Sequence, residues 1–166
     1  MRRGVVMWKT AYDPAELPRK RPEDAFDAWK PDGVWYSPGE EWLDWCARAK
    51  PDWLTEHVYE LVFNDERLLR VRSHSDLVHF HNTYATTPLV AGSELRVIDW
   101  PAVAREYDGI EIAPYQRTAR HDIDMFWYYT WDVASGVLWN RSAIVSVEPY
   151  APSTVPVRRQ EAQGGG

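Results

Sequence analysis

Cysteine is nearly absent from this sequence: Cys46 is the only one in 166 residues. A single thiol excludes an intrachain disulfide framework and a multi-cysteine zinc site. Long apolar runs are missing as well. No stretch approaches the roughly 18 apolar residues that a membrane-spanning helix needs. The opening MRRGVVMWKTAYD turns polar too early for a secretory leader. The expectation is a cytoplasmic protein with no membrane partner. Positive charge is also in short supply, 19 Lys and Arg against 25 Asp and Glu, for a net charge of −6. That balance argues against broad electrostatic capture of nucleic acid, which requires clustered cations. Neither a Gly-x-Gly-x-x-Gly nor a Walker loop is present, which argues against dinucleotide binding by a Rossmann or P-loop route. No Gly-x-Ser-x-Gly elbow offers a serine nucleophile.

What the chain does have is aromatic surface, with 10 Trp and 9 Tyr. Tryptophan at this density builds a thick aromatic core, or flat platforms for stacking on a base, a nicotinamide or a sugar. Histidines cluster at His74, His79 and His81, but a helix through them sets His79 and His81 about 200° apart, unable to share one ion. Cys46 falls at helical spacing with Trp42 and Trp45 and reads as a small buried apolar residue.

The pattern along the chain predicts an α+β domain over residues 1–150 and a flexible C-terminal tail over 151–166, ending in three glycines. Residues 4–12 read as a first strand. Residues 13–32, with Pro14, Pro18, Pro22 and Pro31, read as a long loop with one helical turn near 23–29, a segment able to wall or cover a site. GVWYS is a short strand. In SPGEEWLDWCARAK, Ser37 is placed to cap a helix, with Pro38 at its first position and Glu40 completing a capping box. Leu43, Cys46 and Ala47 form its inward face. HVYELVF and RLLRVRS flank Asn64-Asp65 as a hairpin or two adjacent strands. A helix capped by Ser73 or Ser75 carries Leu77, Phe80, His81 and Tyr84 on one face. A strand over 94–100, a short helix capped by Asp99 and the strand DGIEIAPY follow. Residues 116–125 read as a polar loop and 126–150 as two or three strands.

In EYDGIEI, alternation turns Ile110 and Ile112 to the core and Glu111 to the opposite side. Glu111 is then either a solvated rim residue or a carboxylate aimed into a cleft. Asp108 suits a turn before the strand. Asp132, between aromatic residues and the Ser135-Gly136 break, is harder to assign to a turn.

Three short motifs, VWYS, IDWPAVAREYDGIEI and WDVASGVLWN, follow one another in an order and spacing that resembles the ADP-ribosyltransferase fold. The likeness is to its small toxin-like and phage-type members and covers roughly residues 5–148. The resemblance implies two small antiparallel sheets packed around a cleft with a few short helices. It implies NAD as substrate and a macromolecular acceptor for ADP-ribose, or hydrolysis of NAD. It places Trp35, Tyr36 and Ser37 against the nicotinamide and ribose, and Tyr115 as a stacking group. The acid that stabilises the ribose cation is Glu111 or, one strand later, Asp132 with Ser135. A carboxylate serves there because cleavage of the ribose–nicotinamide bond builds an oxocarbenium-like cation. The family's first strand offers an Arg or His to the ribose and phosphate; VVMWKTAY has neither, leaving Lys9 or Thr10 in that role. This departure supports the alternative of a non-catalytic nucleotide-binding or protein-interaction module on the same fold, with a phage- or defence-associated setting.

Overall fold

The computed structural model describes residues 1–7, 29–86 and 95–153. Lys9, Thr10 and most of the proline-rich loop lie outside the described residues. Nine strands and three α-helices are formed among those described: β1 (Arg2–Met7), β2 (Val34–Tyr36), α1 (Glu41–Ala49), β3 (Val58–Phe63), β4 (Leu68–Val71), α2 (His74–Tyr84), β5 (Ala85–Thr86), β6 (Val97–Ile98), α3 (Trp100–Glu106), β7 (Gly109–Ile112), β8 (Ser135–Leu138) and β9 (Ile144–Pro149). The fold is α+β. Short 3₁₀ turns occupy Arg117–His121 and Phe126–Thr130.

β1, β3 and β9 form one antiparallel sheet in the order β1-β3-β9, and β2, β8, β7 and β4 form a second in the order β2-β8-β7-β4. A single bridge, Val5 to Ser37, stitches β1 to β2 and so joins the two sheets. β5 and β6 pair as a separate two-stranded ribbon. The second sheet is mixed, because β4 runs parallel to β7, with Leu68 beside Gly109 and Arg70 beside Glu111. That corrects the expectation of two purely antiparallel sheets. It also corrects the expected pairing of HVYELVF with RLLRVRS: β3 lies between β1 and β9, while β4 joins β7 in the other sheet. The Asn64-Asp65 segment carries the chain from one sheet to the other.

The two sheets meet across Val6, Val34, Tyr36, Leu61, Phe63, Leu68 and Leu138. On its other face the mixed sheet presents Ile110, Ile112 and Val137 to α2, α3 and a set of aromatics that includes Trp100, Trp127, Tyr128 and Trp131. Trp100, Trp127, Trp131 and Trp139 therefore build core. Trp100 and Trp127 meet edge to face at 5.9 Å and Phe80 and Trp127 at 5.5 Å, the offset geometry that ring quadrupoles favour.

Two helices start where their caps put them. The Ser73 hydroxyl accepts from the Asp76 amide at 3.1 Å and the Asp99 carboxylate from the Ala102 amide at 3.0 Å, the side-chain caps that the amides of a first turn call for. α1 does not start at Ser37. Its first residue is Glu41, and Glu40 precedes it without a side-chain cap. Ser37 is instead held by the sheet, its backbone paired with Val5 and its hydroxyl donating to the Gly39 carbonyl. Ala47 is exposed, so Leu43 and Cys46 alone form the fully buried face of α1. FWYYT forms a 3₁₀ turn instead of a strand, with Trp127 and Tyr128 both buried. Residues 154–166 lie outside the described residues. Just before them, the Ser153 amide and hydroxyl donate to Glu40 at 2.9 and 2.8 Å, and the Tyr150 hydroxyl at 2.6 Å.

Candidate functional site

The sequence-predicted residues fall on two sides of the mixed sheet. Tyr36 and Glu111 face the layer between the sheets. Their neighbours in β2 and β7, Trp35 and Ile112, face the aromatic core.

Glu111 is buried, so the solvated-rim reading does not hold. Its Oε2 accepts from the Tyr36 hydroxyl at 3.0 Å and from Arg2 Nε at 3.2 Å, and its Oε1 from the same guanidinium. The Glu111 side chain is 5% exposed and that of Arg2 33%. Arg70, next to Glu111 in register, pairs with Asp65. Burial, and then the Glu111 charge, push the Tyr36 phenol well above its ordinary range, so it stays a neutral donor. The Tyr36 ring is received in a slot with glycine on both sides. A Cβ built on Gly4 of β1 would come within 2.3 Å of the ring, and one on Gly136 of β8 within 2.4 Å of the hydroxyl oxygen. With both oxygens bonded and the side chain almost wholly buried, Glu111 ties β1, β2 and β7 together.

Arg2 was not legible as a partner because apolar residues alone start the strand at Gly4, two residues after its true beginning. Extending the alternation Val6, Gly4 back by two residues puts Arg2 on the same face, and that is the signal that would have found it.

On the other side, Asp132 follows the buried Trp131 and remains 35% exposed. Its Oδ1 accepts from Arg120 at 3.1 Å. Arg120 also donates to the Tyr115 hydroxyl at 3.0 Å, and that hydroxyl donates to the Trp131 carbonyl at 2.8 Å. The Tyr115 ring stacks on Tyr128 at 5.5 Å. Trp35 meets Trp131 edge to face at 4.8 Å, and the Lys30 ammonium lies 4.6 Å over the Trp35 ring. Burial lowers the Lys30 pKa, and the charge of Asp132 partly opposes that shift. Asp132 also reaches α1 electrically: burial pushes the Cys46 thiol up, and the Asp132 charge adds to the shift. Beyond Arg120 the surface continues as an exposed aromatic pair, Phe126 and Tyr129, stacked at 5.6 Å with rings 1° from parallel. The guanidinium lies 5.0 Å over the Tyr129 ring.

No protein-family model, no curated protein and no solved structure matches the chain. The chemistry of the site has to come from its geometry.

Of the residues singled out in the sequence, Asp132, Trp35 and Tyr115 share one neighbourhood. Ser135 stands beside Ile112 in register on the same side of the sheet, but it is buried and its hydroxyl donates to the Val133 carbonyl at 3.1 Å. Ser37 is buried in the turn after β2. Arg120 and Lys30 are additions, and neither sat in a periodic segment that could have given its direction. Among the described residues, no three His, Cys, Asp or Glu side chains group so as to hold a metal ion. No helix among them is long and apolar enough to cross a membrane.

Asp132 is the carboxylate with chemical freedom. Arg120 fixes Oδ1, and among the described residues Oδ2 has no hydrogen-bond partner. Flat aromatic surface lies to one side in Trp35, and cations to either side in Lys30 and Arg120. Such a set can orient a hydroxyl, offset a developing positive charge or accept a proton, next to a surface on which a planar ring can stack.

Proposed function

We propose that the chain binds NAD at the Asp132 cluster and acts on its ribose–nicotinamide bond as an ADP-ribosyltransferase-like protein. The ADP-ribose passes to a macromolecular acceptor or to water. The observation that carries this reading is the half-exposed Asp132 carboxylate, held at one oxygen by Arg120 beside Tyr115, Trp35 and Lys30. It lies close to β2, where two small sheets are joined by a single bridge. As the C1′–N bond breaks, its electron pair goes to the nicotinamide nitrogen and charge develops on the ribose. The carboxylate offsets that charge and accepts the proton of the attacking hydroxyl. Arg120 fixes the direction of the carboxylate, and the indole of Trp35 excludes water from one side. Asp132 takes the role over Glu111, whose oxygens are both bonded inside the sheet layer.

One observation favours a second reading, a nucleotide-binding module without turnover. Arg120 already neutralises much of the Asp132 charge, which weakens its hold on a cationic transition state and leaves recognition intact. Nicotinamide release from NAD separates the two. For the enzyme, release is expected and Asp132→Asn lowers it by about a hundredfold or more, the typical weight of one electrostatic stabiliser. Full activity in that variant would remove Asp132 from the chemistry. Saturable NAD binding by calorimetry without release leaves the binding module, and absence of both removes the two readings together.

A further inference from the structure

Lys30 is a half-buried ammonium that forms no ion pair with a carboxylate among the described residues. Its contact is the face of Trp35 at 4.6 Å, and no ion pair joins it. Cations withdrawn from water are ordinarily paired, because desolvation disfavours the charged form. The ring quadrupole of tryptophan offsets only part of that cost. Asp132, the acid whose charge acts on Lys30, already has its Oδ1 bonded to Arg120. Counting Lys30, Arg120 and Asp132 as +1, +1 and −1, the cluster keeps one positive charge on a chain of net charge −6. A site built this way has room for one more negative charge, and the ammonium that would meet it stands at the aromatic wall.

We infer that Lys30 is the phosphate contact of this site, with the pyrophosphate of a dinucleotide as its ligand. This rests on the reading of the Asp132 cluster as a nucleotide site. The chemistry suits lysine: a compact point charge on a four-carbon stem, able to leave the ring face and follow an anion. The two arginines of β1 are already paired, Arg2 with Glu111 between the sheets and Arg3 with Glu60. Displacement of the ammonium frees the Trp35 face for a planar ring, so one movement exposes the stacking surface and delivers the charge to the phosphate.

The test is calorimetric titration of the full chain, wild type, Lys30→Ala and Lys30→Arg, with NAD, ADP-ribose, nicotinamide riboside and inorganic pyrophosphate. Thermal melts establish that each variant is folded. The expected result is that Lys30→Ala weakens NAD and ADP-ribose by about tenfold or more, the loss of one charge-assisted hydrogen bond. Nicotinamide riboside, which has no phosphate, is not weakened, and Lys30→Arg retains most of the affinity. Equal weakening of all ligands, or no weakening, overturns the assignment while leaving the nucleotide site in place. Pyrophosphate binding as tightly as NAD would make this a free-anion site and overturn the dinucleotide assignment. If the wild type binds none of the nucleotides, the nucleotide reading falls and the role of Lys30 falls with it.

Discussion

Replacing Glu111 by glutamine keeps the volume and one acceptor but puts an amide N–H₂ where Arg2 or Tyr36 now donates. The amide then faces an Arg2 donor in the layer between the sheets, and an unsatisfied buried polar group costs about 1–3 kcal/mol. The partial exposure of Arg2 lets water recover some of that, so Glu111→Gln is expected at about 1–2 kcal/mol of stability, measured by urea unfolding. Tyr36→Phe removes the other donor. In a double-mutant cycle the two changes should couple, since both act on one oxygen; strict additivity would show that the tie contributes nothing. Gly136→Ala tests the same slot from the other side. Its new Cβ would stand 2.3–2.6 Å from three atoms of the Tyr36 ring and hydroxyl, so either the ring moves and loses Glu111 or the strands part. Overpacking of this kind costs about 1–3 kcal/mol. A neutral substitution would mean that the slot yields more easily than its geometry implies.

At the scale of elements, α2 is fastened to the aromatic 3₁₀ turn by one imidazole. His81 Nδ1 accepts from the indole nitrogen of Trp127 at 3.2 Å, and Arg96 approaches Nε2 at 3.4 Å. Both ring nitrogens therefore face donors; the neutral ring accepts at one of them, and protonation would remove that acceptor. Burial first, and then the Arg96 charge, hold the His81 pKa below its ordinary 6.5, with Asp124 and Asp122 opposing. The folded pKa is the depressed one, so the unfolded chain takes up the proton first as pH falls. The contribution of His81 is complete above about pH 6.5 and is lost as pH falls through the folded value. Melting temperature followed from pH 8 to 5 should decline in that window, and His81→Gln should flatten the decline; an unchanged profile would remove His81 as its cause. α2 and α3 were legible in the sequence because their caps are local: Ser73 and Asp99 each bond an amide three residues on. α1 was misplaced at its start because a long-range bridge to Val5 and a turn at Gly39 hold Ser37, and no local pattern announces a bridge. The pairing of β3 and β4 was missed for the same reason, since the choice between a hairpin and a crossing of sheets is made by partners far along the chain.

At the scale of the molecule, the mixed sheet separates the two acids that sequence reasoning set against each other. Alternation was enough to turn Glu111 away from Ile110 and Ile112. It could not say that the far side is a second sheet and not a cleft, because that depends on β1 arriving with Arg2. Asp132 was identifiable as a carboxylate among aromatics, whereas Arg120 and Lys30 come from irregular segments whose direction only the folded chain defines. The consequence is a division of labour that can be measured. Glu111 and Asp132 share no bonded partner, so their substitutions should add within about 0.5 kcal/mol. Glu111→Gln should lower the unfolding midpoint and leave the affinity for NAD unchanged. Asp132→Asn gives up a half-exposed pair with Arg120, worth about 0–1 kcal/mol, and should leave the midpoint nearly untouched while altering nucleotide binding. Urea unfolding and calorimetry on the two single variants and the double variant give all the terms. Were Glu111→Gln to abolish binding at full stability while Asp132→Asn did not affect it, the site would lie between the sheets, and the assignment made from the aromatic face would be wrong.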